Sequence, residues 1–235
     1  MATSYTFKRV EQKYLIDQAQ YQALKKAMEK YMERDVYGEY TICNLYYDTE
    51  DYELVRQSLD KPVYKEKLRL RSYGTPNADT RVYLELKKKY EGIVYKRRVS
   101  LTLKEAENYL KNGQLPFKDS QILNEIDYFI KFYHPKERVY IAYDREAFAG
   151  KEDPEFRITF DSKIRSRFEN LKLEDGDCGS APLNTDYFLM EVKVTTALPL
   201  WLVETMSELQ IYPCSFSKYG QIYTDNMEQL MRAVR

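Results

Sequence analysis

Histidine is almost missing from this 235-residue chain: His134 is the only one. One imidazole cannot make a histidine metal cluster, and next to Pro135 at a helix exit it is poorly placed for a Ser-His-Asp relay. Glycine is scarce as well, at eight residues, and neither GxxxxGK[ST] nor GxGxxG occurs. Nucleotide binding by a backbone cradle is therefore not expected. Cys43, Cys178 and Cys214 are odd in number, far apart and without a CxxC, which excludes a disulfide framework and points to a reducing, cytoplasmic location. No apolar run approaches the roughly 18 residues of a membrane span. Residues Met1 to Arg9 lack the apolar core of a signal peptide. The expectation is a chain with no membrane segment of its own. Lys and Arg (37) balance Asp and Glu (37), so no global field draws the chain to nucleic acid or to a membrane. Any basic site must be local.

What the chain does have is alternation. Lys65-Glu66-Lys67-Leu68-Arg69-Leu70-Arg71, Val82-Tyr83-Leu84-Glu85-Leu86-Lys87 and Val94-Tyr95-Lys96-Arg97-Arg98-Val99 each run with period two, as half-buried strands do. One face holds Leu68, Leu70, Leu84 and Leu86. The other holds Lys67, Arg69, Arg71, Glu85, Lys87, Lys96 and Arg98. Water alone could cover such a face, but like charges directly opposite one another destabilise a sheet. A bound polyanion would remove that penalty. The 23 tyrosines mostly alternate along strands and read as wall packing, not as a base-stacking platform.

The remaining elements follow in order. A strand is expected from Phe7 to Ile16, with Arg9, Glu11 and Lys13 on one face, then a helix capped by Asp17. A β-rich run covers Tyr40 to Thr49 and a short helix follows Asp48 or Thr49. Thr102-Leu103-Lys104-Glu105 is a capping box for a helix ending near Asn112-Gly113. A further helix covers Asp119 to Phe132. Strands are expected at Val139 to Phe148, Phe156 to Asp161 and Phe188 to Val194, with a short one near Ile164 to Phe168. Pro199 opens a helix, and Ser217 to Val234 is helical. No repeat or linker divides the chain, so residues 1–235 read as a single α+β domain of about eight antiparallel strands with helices outside.

If phosphates are bound, side chains must bind them, and arginine forks and lysine point charges suit that task. Strand faces supply Lys13, Arg69, Arg71, Lys87, Lys96, Arg98, Arg145, Arg157 and Lys193. Glu11, Glu85 and Glu191 lie among them. Carboxylates within a cationic, phosphate-filled site are what Mg²⁺ or Mn²⁺ requires, although a local ion pair explains Glu11 and Glu85 equally well.

Taken in order, Arg9-x-Glu11-x-Lys13-Tyr14, Lys67-x-Arg69-x-Arg71, Glu85-x-Lys87, Lys96-x-Arg98, Tyr143-x-Arg145, Phe156 to Asp161, Glu191-x-Lys193 and Ser217-Lys218-Tyr219 resemble the VTC domain. That is the polyphosphate polymerase domain of the vacuolar transporter chaperone complex, in the triphosphate tunnel (CYTH-like) superfamily. The resemblance implies an eight-stranded antiparallel β-barrel whose lumen binds ATP and inorganic polyphosphate, and transfer of the γ-phosphoryl group to the growing chain. It implies Lys13, Arg69, Arg71, Arg157 and Lys218 as catalytic residues, and Lys87, Lys96, Arg98, Tyr143, Arg145, Lys193 and Ser217 as further phosphate contacts. Glu191 would hold the divalent metal, with Glu11 and Glu85 as additional candidates.

Two departures from the superfamily pattern matter. Hydrolytic tunnel enzymes carry ExExK on the first strand, and Arg9 stands here for the first glutamate, which argues for polymerisation over hydrolysis. The eukaryotic proteins also carry a phosphate-sensing domain and membrane helices that this chain lacks, so a separate membrane partner is one expectation. The alternatives are a tunnel triphosphatase and a polyphosphate-binding module without turnover. Arg69→Ala or Arg157→Ala is expected to abolish activity with little loss of stability.

Overall fold

The computed structural model describes residues 10–91, 93–117, 120–180, 186–195 and 197–233. Within them eight strands and six α-helices alternate: β1 (Val10–Asp17), α1 (Gln18–Met28), β2 (Met32–Asp48), α2 (Glu53–Leu59), β3 (Tyr64–Tyr73), β4 (Arg81–Tyr90), β5 (Ile93–Thr102), α3 (Leu103–Asn112), α4 (Gln121–Tyr133), β6 (Lys136–Gly150), β7 (Arg157–Arg167), β8 (Tyr187–Val194), α5 (Leu200–Glu208) and α6 (Lys218–Ala233). The strands form one sheet in the order β1-β8-β7-β6-β2-β3-β4-β5. The expected α+β fold with an eight-stranded antiparallel sheet is present, and β1 and β5 end the hydrogen-bonded order among the described residues.

The chain divides into two compact units, each made of separated segments. Thr41–Ala142, Arg165–Pro182 and Ser217–Arg235 form one; Met1–Tyr40, Tyr143–Ile164 and Leu183–Phe216 form the other. In the first, β3, β4 and β5 are a meander, and its register pairs Leu68 with Leu86 and Leu70 with Leu84, which faces Val99. Because side chains alternate, that register gathers the leucines on one face. They pack under Leu103, Ala106 and Tyr109 of α3 and Leu123, Ile126 and Phe129 of α4. The capping box is present: the Thr102 side chain accepts from Glu105 N, the Glu105 side chain accepts from Thr102 N, and Gly113 ends α3 at φ +68°. Before α2, the buried Asp48 carboxylate accepts from the amides of Leu54 and Val55 and from Tyr219 Oη on α6.

In the second unit, β8 pairs with β1 on one side and β7 on the other. Its core joins Ile16, Leu24 and Met28 to Ile158, Phe160, Met190 and Val192, with Leu202 and Met206 of α5.

Several boundaries differ from the sequence reading. β2 begins at Met32, eight residues before the expected Tyr40, because its first half is exposed (Val36 92%, Tyr37 76%) and carries no apolar alternation. β7 runs on to Arg167 and absorbs the separate short strand expected near Ile164. The start of the first expected strand, including Arg9, and Asp119 lie outside the described residues.

Candidate functional site

Opposite the leucines, the same register builds rows of charge on β3, β4 and β5. One row is Arg71 and Tyr83 with Ser100, and the next is Arg69, Glu85 and Arg98. Then come Lys67, Lys87 and Lys96, and finally Lys65 and Lys89 beside Val94. Glu85 is the hub, at 1% exposure. Its Oε2 accepts from Arg69 Nε at 2.8 Å and its Oε1 from Arg98 Nε at 2.6 Å. Lys96 Nζ stands 2.8 Å from Oε1, and Arg71 Nε 3.7 Å from Oε2. Burial alone would raise this carboxyl, but Arg69, Arg71 and Lys96 outweigh it and hold it far below the usual carboxylate range. Loss of solvent, with help from Arg71 and Arg69, pulls Lys96 down to about 8 against the opposing pull of Glu85. Four cations thus converge on one buried carboxylate.

Aromatic and amide groups aim these cations. Tyr46 Oη accepts from Arg69 Nη1 at 3.1 Å, and Asn44 Oδ1 from Arg71 Nε at 3.0 Å. Arg98 lies 4.4 Å from the Tyr83 ring centroid. Lys67 Nζ donates to Ser217 Oγ at 3.0 Å and lies 5.8 Å from the Tyr219 ring centroid. Ser217 Oγ also accepts from Gly220 N, so it fixes the start of α6, whose first residue is Lys218.

The second unit carries its own charged cluster. Arg145 donates from Nε and Nη2 to the two oxygens of Asp161, at 2.5 and 2.7 Å, with Asp161 fully buried. Arg145 also lies 5.3 Å from the ring centroid of the buried Tyr143 and 3.5 Å from Glu191 Oε2. Glu191 is 3.4 Å from Lys13 and 3.8 Å from Lys193, and Glu11 stands 4.0 Å from each of the same lysines. Lys13 Nζ is anchored on Phe216 O at 3.0 Å. Thr159, in register with Glu191, has a buried Oγ1 with no hydrogen-bond partner. Arg157, in register with Lys193, is exposed, and its Nε donates to Pro154 O at 3.4 Å.

The two clusters differ as metal sites. Glu85 has both oxygens taken by cations at hydrogen-bond distance, so it does not suit a metal. Glu191 lies 3.4 to 3.8 Å from Lys13, Arg145 and Lys193, with Glu11 two residues along the neighbouring ladder and, opposite it, the Thr159 hydroxyl, which has no hydrogen-bond partner among the described residues. Hard oxygen donors of this kind, completed by phosphate oxygens and water, fit Mg²⁺ or Mn²⁺. Among the described residues no group of three or more His, Cys, Asp or Glu could form an all-protein cage.

The structure thus brings Arg69, Arg71, Lys87, Lys96, Arg98, Ser217 and Lys218 into the first unit, and Glu11, Lys13, Tyr143, Arg145, Arg157, Glu191 and Lys193 into the second. Asn44, Tyr46 and Tyr83, Asp161 as the holder of Arg145, and Thr159 went unassigned by sequence reasoning. Thr159 and Asp161 lay inside the Phe156 to Asp161 motif without a role, and Asn44, Tyr46 and Tyr83 showed only as polar groups along a strand. A surface hollow of about 600 Å³ lined by Lys88, Gln121, Asn124, Glu125 and Tyr128 involves the helix-covered side of β4, away from the charge rows.

Known structures share this architecture. A candidate adenylate cyclase of Bacillus halodurans superposes with a TM-score of 0.57 at 15% identity, over 89% of this chain and 95% of that one. A candidate adenylyl cyclase of Hippeastrum, described as having a dominant triphosphatase activity, gives 0.50 at 15% identity, over 90% of this chain and 93% of that one. The fold is that of the triphosphate tunnel proteins. The VTC domain model matches residues 8–225, and the chain belongs to the VTC domain family. No curated protein matches the chain.

Proposed function

We propose that this protein is an ATP-dependent polyphosphate polymerase that transfers the γ-phosphoryl group of ATP to a growing polyphosphate chain. The observation that carries the reading is the charge face around Glu85, where Arg69, Arg71, Lys96 and Arg98 converge on one buried carboxylate. Such a face suits a polyanion.

The acceptor supplies the nucleophile. A terminal phosphate oxygen of the chain attacks the γ-phosphorus, the bond from that phosphorus to the β,γ-bridging oxygen breaks, and ADP leaves with that oxygen. The transition state is loose and its charge spreads over the equatorial oxygens, so positioning and neutralisation do most of the work. Arg69 and Arg71 are fixed by Glu85, Tyr46 and Asn44, and present guanidinium forks at fixed angles. Arg145, clamped by Asp161, does the same in the second unit. A divalent cation at Glu191 and Glu11 would neutralise charge on the phosphates. Lys13 and Lys193, which lie beside those carboxylates, would supply further positive charge for phosphate oxygens. ATP and inorganic polyphosphate are the partners this reading requires.

Hydrolysis of a triphosphate is the second reading. The closeness of Glu11 to Glu191 favours it, since two carboxylates can hold a metal that activates water. Incubating the purified protein with ATP and Mn²⁺ and resolving the products separates the two. Long-chain polyphosphate with ADP supports the polymerase. Free phosphate without polymer sinks it in favour of hydrolysis, and tight triphosphate binding without turnover leaves a binding module.

A further inference from the structure

Beyond the Glu85 row the charged face does not stop. The row of Lys67, Lys87 and Lys96 is followed by Lys65 directly opposite Lys89, and Lys61 lies close enough for its charge to act on Lys65. Burial, then the charges of Lys89 and Lys61, pull the Lys65 ammonium below its ordinary range. Lys65 Nζ donates to Ser58 O at 2.9 Å, which fixes its position without neutralising it. Among the described residues, none of Lys61, Lys65 and Lys89 forms an ion pair within 4 Å, although Lys88 on the other face pairs with both Glu66 and Glu125. The inner row has a resident counter-charge in Glu85, whereas this outer cluster has none. A directly opposed lysine pair destabilises a sheet unless an anion lies across it.

The distance along the face decides what that anion is. Rows recur every two residues, and Arg71 to Lys65 is six residues of strand, on the order of 20 Å at the rise of an antiparallel strand. A triphosphate held at Arg69 and Arg71 ends well before Lys65. A ligand that reaches both places is a linear chain of many phosphates.

We propose that Lys61, Lys65 and Lys89 form an outer subsite for linear inorganic polyphosphate, occupied only by chains longer than a triphosphate. The inference rests on the phosphate-binding reading of the Arg69, Arg71 and Glu85 rows. The subsite holds the distal part of the acceptor chain, and so favours extension of long polymers over the priming of short ones.

The test compares tripolyphosphate with long-chain polyphosphate by calorimetry, on the wild type and on a triple variant, Lys61→Gln with Lys65→Gln and Lys89→Gln. The variant should hold tripolyphosphate within about twofold of wild type, which also certifies its fold, because surface changes away from a site have small effects. Its affinity for the long chain should fall about tenfold, or 1.4 kcal/mol. The slope of log K against log salt for the long chain should shrink by about 2, as expected when three cations no longer meet a flexible polyanion. Equal losses for both ligands, or no loss for either, would overturn the outer subsite. An oligothymidylate of matched charge that bound with the same lysine dependence would overturn the assignment to an inorganic chain. A wild type that bound neither phosphate ligand would instead defeat the reading of the inner rows.

Discussion

Arg69 on β3 and Glu85 on β4 lie directly opposite one another, and Arg69 Nε donates to Glu85 Oε2 at 2.8 Å while its Nη2 stands 2.7 Å from the same oxygen. Arg98 approaches the other oxygen from β5. One buried carboxylate therefore ties three strands together through the cations that would meet substrate.

Glu85→Gln should destabilise the fold by about 3 kcal/mol or more, the usual cost of leaving buried charges without a partner. The sign of the pH dependence is fixed. The folded carboxyl lies below its unfolded value, so the stabilisation is complete above about pH 4.3 and is lost as pH falls from there towards the depressed folded value. Denaturant melts of wild type and variant should differ most at neutral pH and converge in acid. A constant difference down to strongly acidic pH would show that Glu85 is not charged in the fold.

Lys96, pulled down to about 8, faces Glu85 and Lys87 on β4, Arg69 and Arg71 on β3 and Arg98 on its own strand. A bound polyanion favours its protonated form. Tripolyphosphate affinity should therefore weaken as pH rises through about 8, approaching a tenfold loss. In Lys96→Arg the guanidinium stays charged, and the affinity should hold flat over the same range. Calorimetry between pH 7 and 9 reads both.

Arg157 and Arg69 are no longer equivalent test positions. Arg157 is exposed and, among the described residues, bonded to a loop carbonyl alone, so Arg157→Ala should lower kcat/KM for ATP by about 10²–10³ and leave stability within about 0.5 kcal/mol. Arg69→Ala should cost similar activity and also about 1–2 kcal/mol of stability, because buried Glu85 loses its charged hydrogen bond at Oε2 while Arg98 and Lys96 still hold Oε1. Paired kinetics and thermal melts check the contrast.

Glu191→Gln should weaken Mn²⁺ binding at least about tenfold while tripolyphosphate without metal binds no worse than in the wild type. Electron paramagnetic resonance titration of Mn²⁺ measures the first without requiring turnover. Unchanged Mn²⁺ binding would remove Glu191 from the metal site.

The leucine and charge faces of β3, β4 and β5 were legible because period two is imposed by the backbone, and Leu68, Leu70, Leu84 and Leu86 obey it without exception. The capping box at Thr102 was legible for the same local reason. The first half of β2 was not, since exposed residues such as Val36 and Tyr37 carry no packing signal. Nor was the role of Glu85. A glutamate among cations reads equally as metal ligand or ion pair, and the ion pairs appear only with the register that sets Arg69 and Arg98 beside it. Asp161 lay at the end of an expected strand, but its clamp on Arg145 depends on a residue 16 positions away in sequence. The outer lysines were plain as residues, yet their lack of counter-charge is visible only in three dimensions.

The central claim is that the γ-phosphoryl group passes to a phosphate chain and not to water. Its most direct measurement is the stoichiometry of ATP labelled in the γ-phosphate, incubated with the protein and Mn²⁺. The account predicts that each ADP formed is matched by one labelled phosphate in acid-precipitable polymer. ADP matched instead by free labelled phosphate, with no label in polymer, would contradict it.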